Sequence, residues 1–78
     1  MKSFNVLFDS IGSVKRFVAA ACQMPFDIDV IGGRYVIDAK SIMGIFSIDL
    51  SKPVRVEVHG TDEDFSAFKA QVETLVVE

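Results

Sequence analysis

Cys22, Ser41 and His59 carry the atoms for nucleophilic, acid–base or metal chemistry in this chain of 78 residues. His59, the only histidine, closes the run Val54-Arg55-Val56-Glu57-Val58-His59. Valines alternating with charged residues describe a strand with one apolar face, so Arg55, Glu57 and His59 share its outer side. A row of charges on a wet sheet face accounts for them without any catalytic role. Cys22 is the only cysteine and lies in an alanine-rich helical stretch, where it reads as a small buried hydrophobe. A lone thiol without an intrachain partner points to a reducing compartment. Ser41 stands at the head of a short helix, where its hydroxyl can accept a bond from a free amide near Gly44. The chain has no Ser-His-Asp set, Cys-His pair, phosphate-binding loop or zinc-ligand spacing, so neither an enzyme nor a cofactor is expected.

The residues after Ser41 pose a packing problem. Ile42, Met43, Ile45, Phe46 and Ile48 cannot all face inward from so short a helix, because one helical face recurs only every three or four positions. Ile45 and Ile48 are the expected core residues, which leaves Ile42, Met43 and Phe46 as an exposed apolar cluster. Small soluble domains seldom leave such a cluster bare without a use. The competing expectation is that the loop Asp49-Leu50-Ser51-Lys52 folds over it.

The elements that must position these residues follow from punctuation and period. Phe4, Val6 and Phe8 alternate in a first strand. Ser10 or Ser13 can cap a helix whose apolar stripe is Ile11, Val14, Val18 and Ala21, running through Cys22. Phe26, Ile28 and Val30 face inward from a second strand while Asp27 and Asp29 face out, and Gly32-Gly33 turns the chain into Tyr35-Val36-Ile37. Pro53 starts the strand that ends at His59, and Thr61 caps a last helix with three carboxylates in its first turn. Phe65, Phe68, Val72 and Leu75 or Val76 form that helix's buried stripe. The order β-α-β-β-(short α)-β-α, with one polar side on each strand, describes an open-faced α/β sandwich whose helices cover one sheet face.

Residues 1–78 are expected to form a single domain, near the size at which one core becomes marginal. Half the residues are apolar and seven are Phe, which supplies that core without disulfide or metal. The net charge of −3 gives no electrostatic footprint for nucleic acid or anionic lipid. No stretch is apolar enough to span a bilayer, and the N-terminus lacks the pattern of a signal peptide, so a cytoplasmic protein is expected.

The stretch Asp38-Ala39-Lys40-Ser41-Ile42-Met43-Gly44, between a hairpin strand and a short helix, resembles the regulatory-serine motif of HPr, the small phosphocarrier of the bacterial sugar phosphotransferase system. Ala39 through Gly44 read as that family reads, and the element order agrees over the whole chain. The resemblance implies a four-stranded antiparallel sheet of order 1-4-2-3 with three helices on one face. It also implies that Ser41 matches the serine phosphorylated by a dedicated ATP-dependent kinase/phosphorylase, and that partners dock on the apolar cluster behind it. Phosphoryl-carrying members have a Gly-Leu-His-Ala-Arg-Pro-Ala run at the start of the first helix. Here that place reads Asp9-Ser10-Ile11-Gly12-Ser13-Val14, without the histidine, arginine or proline. The chain is therefore more similar to the catabolite-repression homologue, which also lacks the histidine and acts only through its serine.

These readings make the chain an HPr-like regulatory module for protein–protein interaction. Lys40, Ser41, Ile42, Met43 and Phe46 form its working surface, and the partner is an HPr kinase/phosphorylase or a transcriptional regulator. Lys15 and Arg16, near the place where the family receives phosphoryl groups, can replace the missing arginine in meeting a partner. The alternatives are a phosphocarrier with another acceptor and a structural subunit that self-associates through its apolar patch. In the implied strand order His59 neighbours Asp27 and Asp29; a charge ladder rather than a metal site is the expectation there.

Overall fold

The computed structural model describes residues 2–77. In chain order it contains β1 (Lys2–Val6), α1 (Ile11–Cys22), β2 (Asp27–Gly32), β3 (Tyr35–Asp38), α2 (Ile42–Phe46), β4 (Val54–His59), α3 (Asp62–Gln71), a 3-10 turn (Glu73–Leu75) and β5 (Val76–Val77). The strands make one sheet of order β3-β2-β4-β1-β5, antiparallel at every pairing. The expected order 1-4-2-3 is present, and a fifth strand is added to it. Two residues of β5 pair with Asn5 and Val6, and Leu7 donates its amide to the Leu75 carbonyl at 3.0 Å. Edge groups of β1 that would otherwise need water are satisfied in this way. The last helix consequently ends at Gln71, and Leu75 is buried from the 3-10 turn rather than from the helical stripe.

Alternation decides the two sheet faces. Phe4, Val6, Ile28, Val30, Val54, Val56 and Val58 are buried toward the helices. Their strand neighbours Ser3, Asn5, Asp27, Asp29, Arg55, Glu57 and His59 occupy the opposite, open face. At the β2–β3 hairpin Gly32 pairs with Tyr35, so the turn is Gly33-Arg34 rather than Gly32-Gly33. Gly33 has φ +60, a value that other residues seldom adopt.

Phenylalanine rings connect the layers. Phe8 meets Phe17 edge-on with centroids 5.2 Å apart, Phe17 meets Phe68 at 5.5 Å, and Phe4 meets Phe65 at 5.7 Å. This chain of rings ties β1, α1 and α3 into one core. Phe17 belongs to the buried face of α1 with Ser13, Val14, Val18 and Ala21. Ile11, expected on that face, is 65 % exposed, and the buried face begins at Ser13 and Val14 instead. Cys22, expected to be buried, is exposed at the helix end, where its thiol donates to the Lys40 carbonyl at 3.7 Å. The burial stripe stops one residue earlier, at Ala21.

Candidate functional site: the short helix behind Ser41

The approach to α2 is fixed by its own side chains. Asp38 accepts the Lys40 amide on Oδ1 at 2.9 Å while its carbonyl accepts the Ser41 amide at 2.9 Å. Such a turn is the ordinary use of an aspartate before a helix. Ala39 donates to the Ile28 carbonyl at 2.9 Å and is buried, which anchors the loop to β2. Ser41 has extended backbone, and its Oγ accepts the Gly44 amide at 3.2 Å, so it is the N-cap expected of it. Its side chain is otherwise exposed. Gly44 is required by close packing: a Cβ there would lie 2.6 Å from Cγ2 of Ile37 on β3.

With one face of α2 pressed on β3 and α1, the apolar residues are sorted by helical period. Ile45 is fully buried. Ile42, three positions earlier on the same face, is half-buried and packed against the core, which corrects its assignment to the exposed cluster. Ile48 and Leu50 are likewise half-buried against the core. Met43 is 80 % exposed and Phe46 is 41 % exposed, so the loop after α2 does not close over them. The apolar surface beside Ser41 is thus Met43 and Phe46, with Lys40 half-buried at its border. In the following loop Asp49 accepts the Ser51 hydroxyl at 2.6 Å and its amide at 2.9 Å, and these two bonds hold the Asp49 carboxyl below its usual value.

The start of α1 is built differently. Ser10 caps it through the Ser13 amide at 3.1 Å. The buried Ser13 Oγ in return accepts the amides of Asp9 and Ser10, each at 3.2 Å, and donates to the Ser10 carbonyl at 2.8 Å. Lys15 and Arg16 are both exposed. Arg16 lies back over the first turn: a Cβ at Gly12 would sit 3.5 Å from its guanidinium and 3.6 Å from Ser10 Oγ.

His59 lies elsewhere, on the open sheet face. Its Nε2 is 2.8 Å from Asp29 Oδ2. The group that converges there is Asp29, Glu57 and His59, with ligand-capable atoms all within 4.8 Å of one another. Asp27, directly opposite His59 in the ladder, is not one of the three. Register between β2 and β4, which no local sequence signal reveals, makes that choice.

The fold is thus an antiparallel open sheet with its helices on one face, and Ser41 caps the second of them. A family model described as the PTS HPr component phosphorylation site matches residues 13–78, and the chain belongs to this HPr family. Sequence comparison with curated proteins finds no match. Among solved structures, HPr-C-His from Thermoanaerobacter tengcongensis is similar at 26 % identity and a TM-score of 0.75, over 95 % of this chain and 93 % of that one. Phosphocarrier protein HPr from Bacillus anthracis is similar at 26 % identity and a TM-score of 0.66, over 88 % of this chain and 93 % of the other. A Mycoplasma histidine-containing phosphocarrier protein, 17 % identical with a TM-score of 0.71 over 97 % and 99 % of the two chains, shares the fold. Members of the family are phosphocarriers rather than catalysts. No helix among the described residues is long and apolar enough to cross a membrane.

Proposed function

We propose that this HPr-family chain is a regulatory binding module, acting through protein contacts at α2 and switched by phosphorylation of Ser41. The observation that carries the reading is an exposed cap hydroxyl, bonded only to the Gly44 amide, beside exposed Met43 and Phe46. A phosphate on Ser41 adds a charge of about −1.5 to −2 next to first-turn amides, which the helix tolerates. The same charge penalises a partner that brings acidic or apolar groups to Met43 and favours one that presents arginine. Lys40 is the cation at the border of this surface, and Lys15 and Arg16, exposed on α1, are the further cations offered to a partner. The partner class is a protein, an HPr kinase/phosphorylase or a transcriptional regulator, in a cytoplasmic setting that the family match supports.

A histidine relay has no acceptor in the segment from Asp9 to Val14. A serine ester there would be too stable to pass its phosphoryl group onward. Incubation with HPr kinase and ATP, and separately with enzyme I and phosphoenolpyruvate, followed by intact-mass and acid-lability measurements, tests the reading. One acid-stable phosphate on Ser41 from ATP, and none from phosphoenolpyruvate, is the expected result. An acid-labile adduct on His59, or a Ser41 that the kinase leaves untouched, overturns it.

A further inference from the structure

Like charges crowd the open face of the sheet. In the ladder Asp29 of β2 stands directly between Asp38 of β3 and Glu57 of β4, three carboxylates in one cross-strand row. Carboxylates directly opposite one another repel, and opposite charges are the usual occupants of such pairs. Arg55 relieves one end of the row by bonding Glu57 at 2.9 Å, and His59 reaches diagonally to Asp29 at 2.8 Å. Asp27 adds a further carboxylate opposite His59.

We infer that Asp29, Glu57 and His59 form a surface site for a divalent transition-metal ion of the zinc class. Three features support this. The donors are one imidazole nitrogen and two carboxylate oxygens, a set that suits zinc-class ions, whereas magnesium and calcium prefer oxygen alone. Their atoms already lie within 4.8 Å of one another. Ligands about 2.1 Å from a tetrahedral zinc are about 3.4 Å apart, so side-chain rotation alone closes the set. Finally, Glu57 and His59 alternate on one strand and Asp29 is paired beside them, so a hydrogen-bonded ladder rather than a loop holds the three positions. Water completes the coordination, and Asp27 and Asp38 supply outer carboxylates on the same face.

Binding uses the His59 Nε2 lone pair, so the Asp29–His59 hydrogen bond gives way to two bonds to the metal, while Glu57 supplies the third from one carboxylate oxygen and gives up or shares its 2.9 Å ion pair with Arg55. If the ring is protonated, one proton goes to solvent; if it is neutral with the proton on Nε2, that proton moves to Nδ1 through solvent exchange. The site is on the face opposite α2 and does not depend on the regulatory reading of Ser41.

Zinc titration of the intact chain, followed by calorimetry and by NMR shifts of His59, Asp29 and Glu57, tests the inference. One equivalent with micromolar affinity is expected. His59→Ala and Asp29→Asn, both at exposed or half-exposed positions, should remain folded, with a single cooperative melt, but weaken zinc binding at least about tenfold, the loss that even an outer partner of a metal ligand can cause. Cys22→Ser should leave affinity unchanged. Loss of binding in Cys22→Ser would move the ion to the thiol. Equal affinity for zinc and magnesium that survives His59→Ala would reduce the cluster to a diffuse acidic surface. Either outcome, or no saturation at millimolar zinc, overturns the inference.

Discussion

Two helices of this protein begin on a serine, and the two starts differ in everything but the capping residue. At α1 the cap is reciprocal: Ser10 and Ser13 satisfy each other's backbone, Ser13 is wholly buried, and twelve helical residues follow. At α2 a single bond from the Gly44 amide meets an exposed Ser41, and the helix has five residues. A cap closed on itself around a wholly buried Ser13 is a structural device, because losing the Ser13 hydroxyl takes the acceptor from two amides at once. A cap with a free hydroxyl at a short helix is open to modification, since water or a phosphate oxygen can take over its single acceptor role. The same residue type thus closes a buried cap in one place and, in the other, leaves the exposed hydroxyl on which the proposed regulation rests.

The comparison is broken most directly inside α2 itself. Ile45→Ala should cost about 2 to 5 kcal/mol, the range for truncating a buried large aliphatic side chain, while Phe46→Ala should change stability little. Chemical denaturation of both variants checks this; equal losses would mean that Phe46 is covered in solution and α2 offers no surface. The caps come next in size. Ser13→Ala removes the acceptor of two amides in a buried site and should cost about 1 to 2 kcal/mol, whereas Ser41→Ala should cost about 0.5 to 1 kcal/mol because solvent replaces it. Matching losses in the two variants would erase the distinction between the two caps.

The smallest effect concerns the loop behind α2. The carboxyl of Asp49 is lowered from its ordinary 3.8 by the Ser51 hydroxyl and amide. Lowering in the folded state means that the interaction is fully present above that ordinary value and is lost as pH falls through the folded one. The Ser51 amide resonance should therefore titrate with a midpoint below 3.8, and Asp49→Asn should abolish that titration. A midpoint at or above 3.8 would show the loop to be open in solution, which would leave Phe46 and Met43 without a fixed border.

Much of this architecture is legible in the chain because its signals are local. Alternation in Val54 to His59 and in Phe26 to Val30 assigned inner and outer faces correctly, since strand side chains have period two whatever the partner strand. Ser41 and Thr61 announce two helix starts and Ser10 or Ser13 a third, because a cap needs only its own next three residues; the structure chose Ser10. The motif from Ala39 to Gly44 carried the family, and the matched family model agrees. Tertiary structure decided what depends on distant neighbours. Whether Ile11, Ile42 or Cys22 is covered depends on what lies above each helix turn, and only packing settles that. The pairing of Val76–Val77 with β1 needed an open edge far away in sequence, and the meeting of His59 with Asp29 and Glu57 needed the β2–β4 register. Register is a long-range quantity: it is chosen by burial of Ile28 and Val30 against Val56 and Val58 over the whole sheet, and the charged residues on the other face follow wherever that choice takes them.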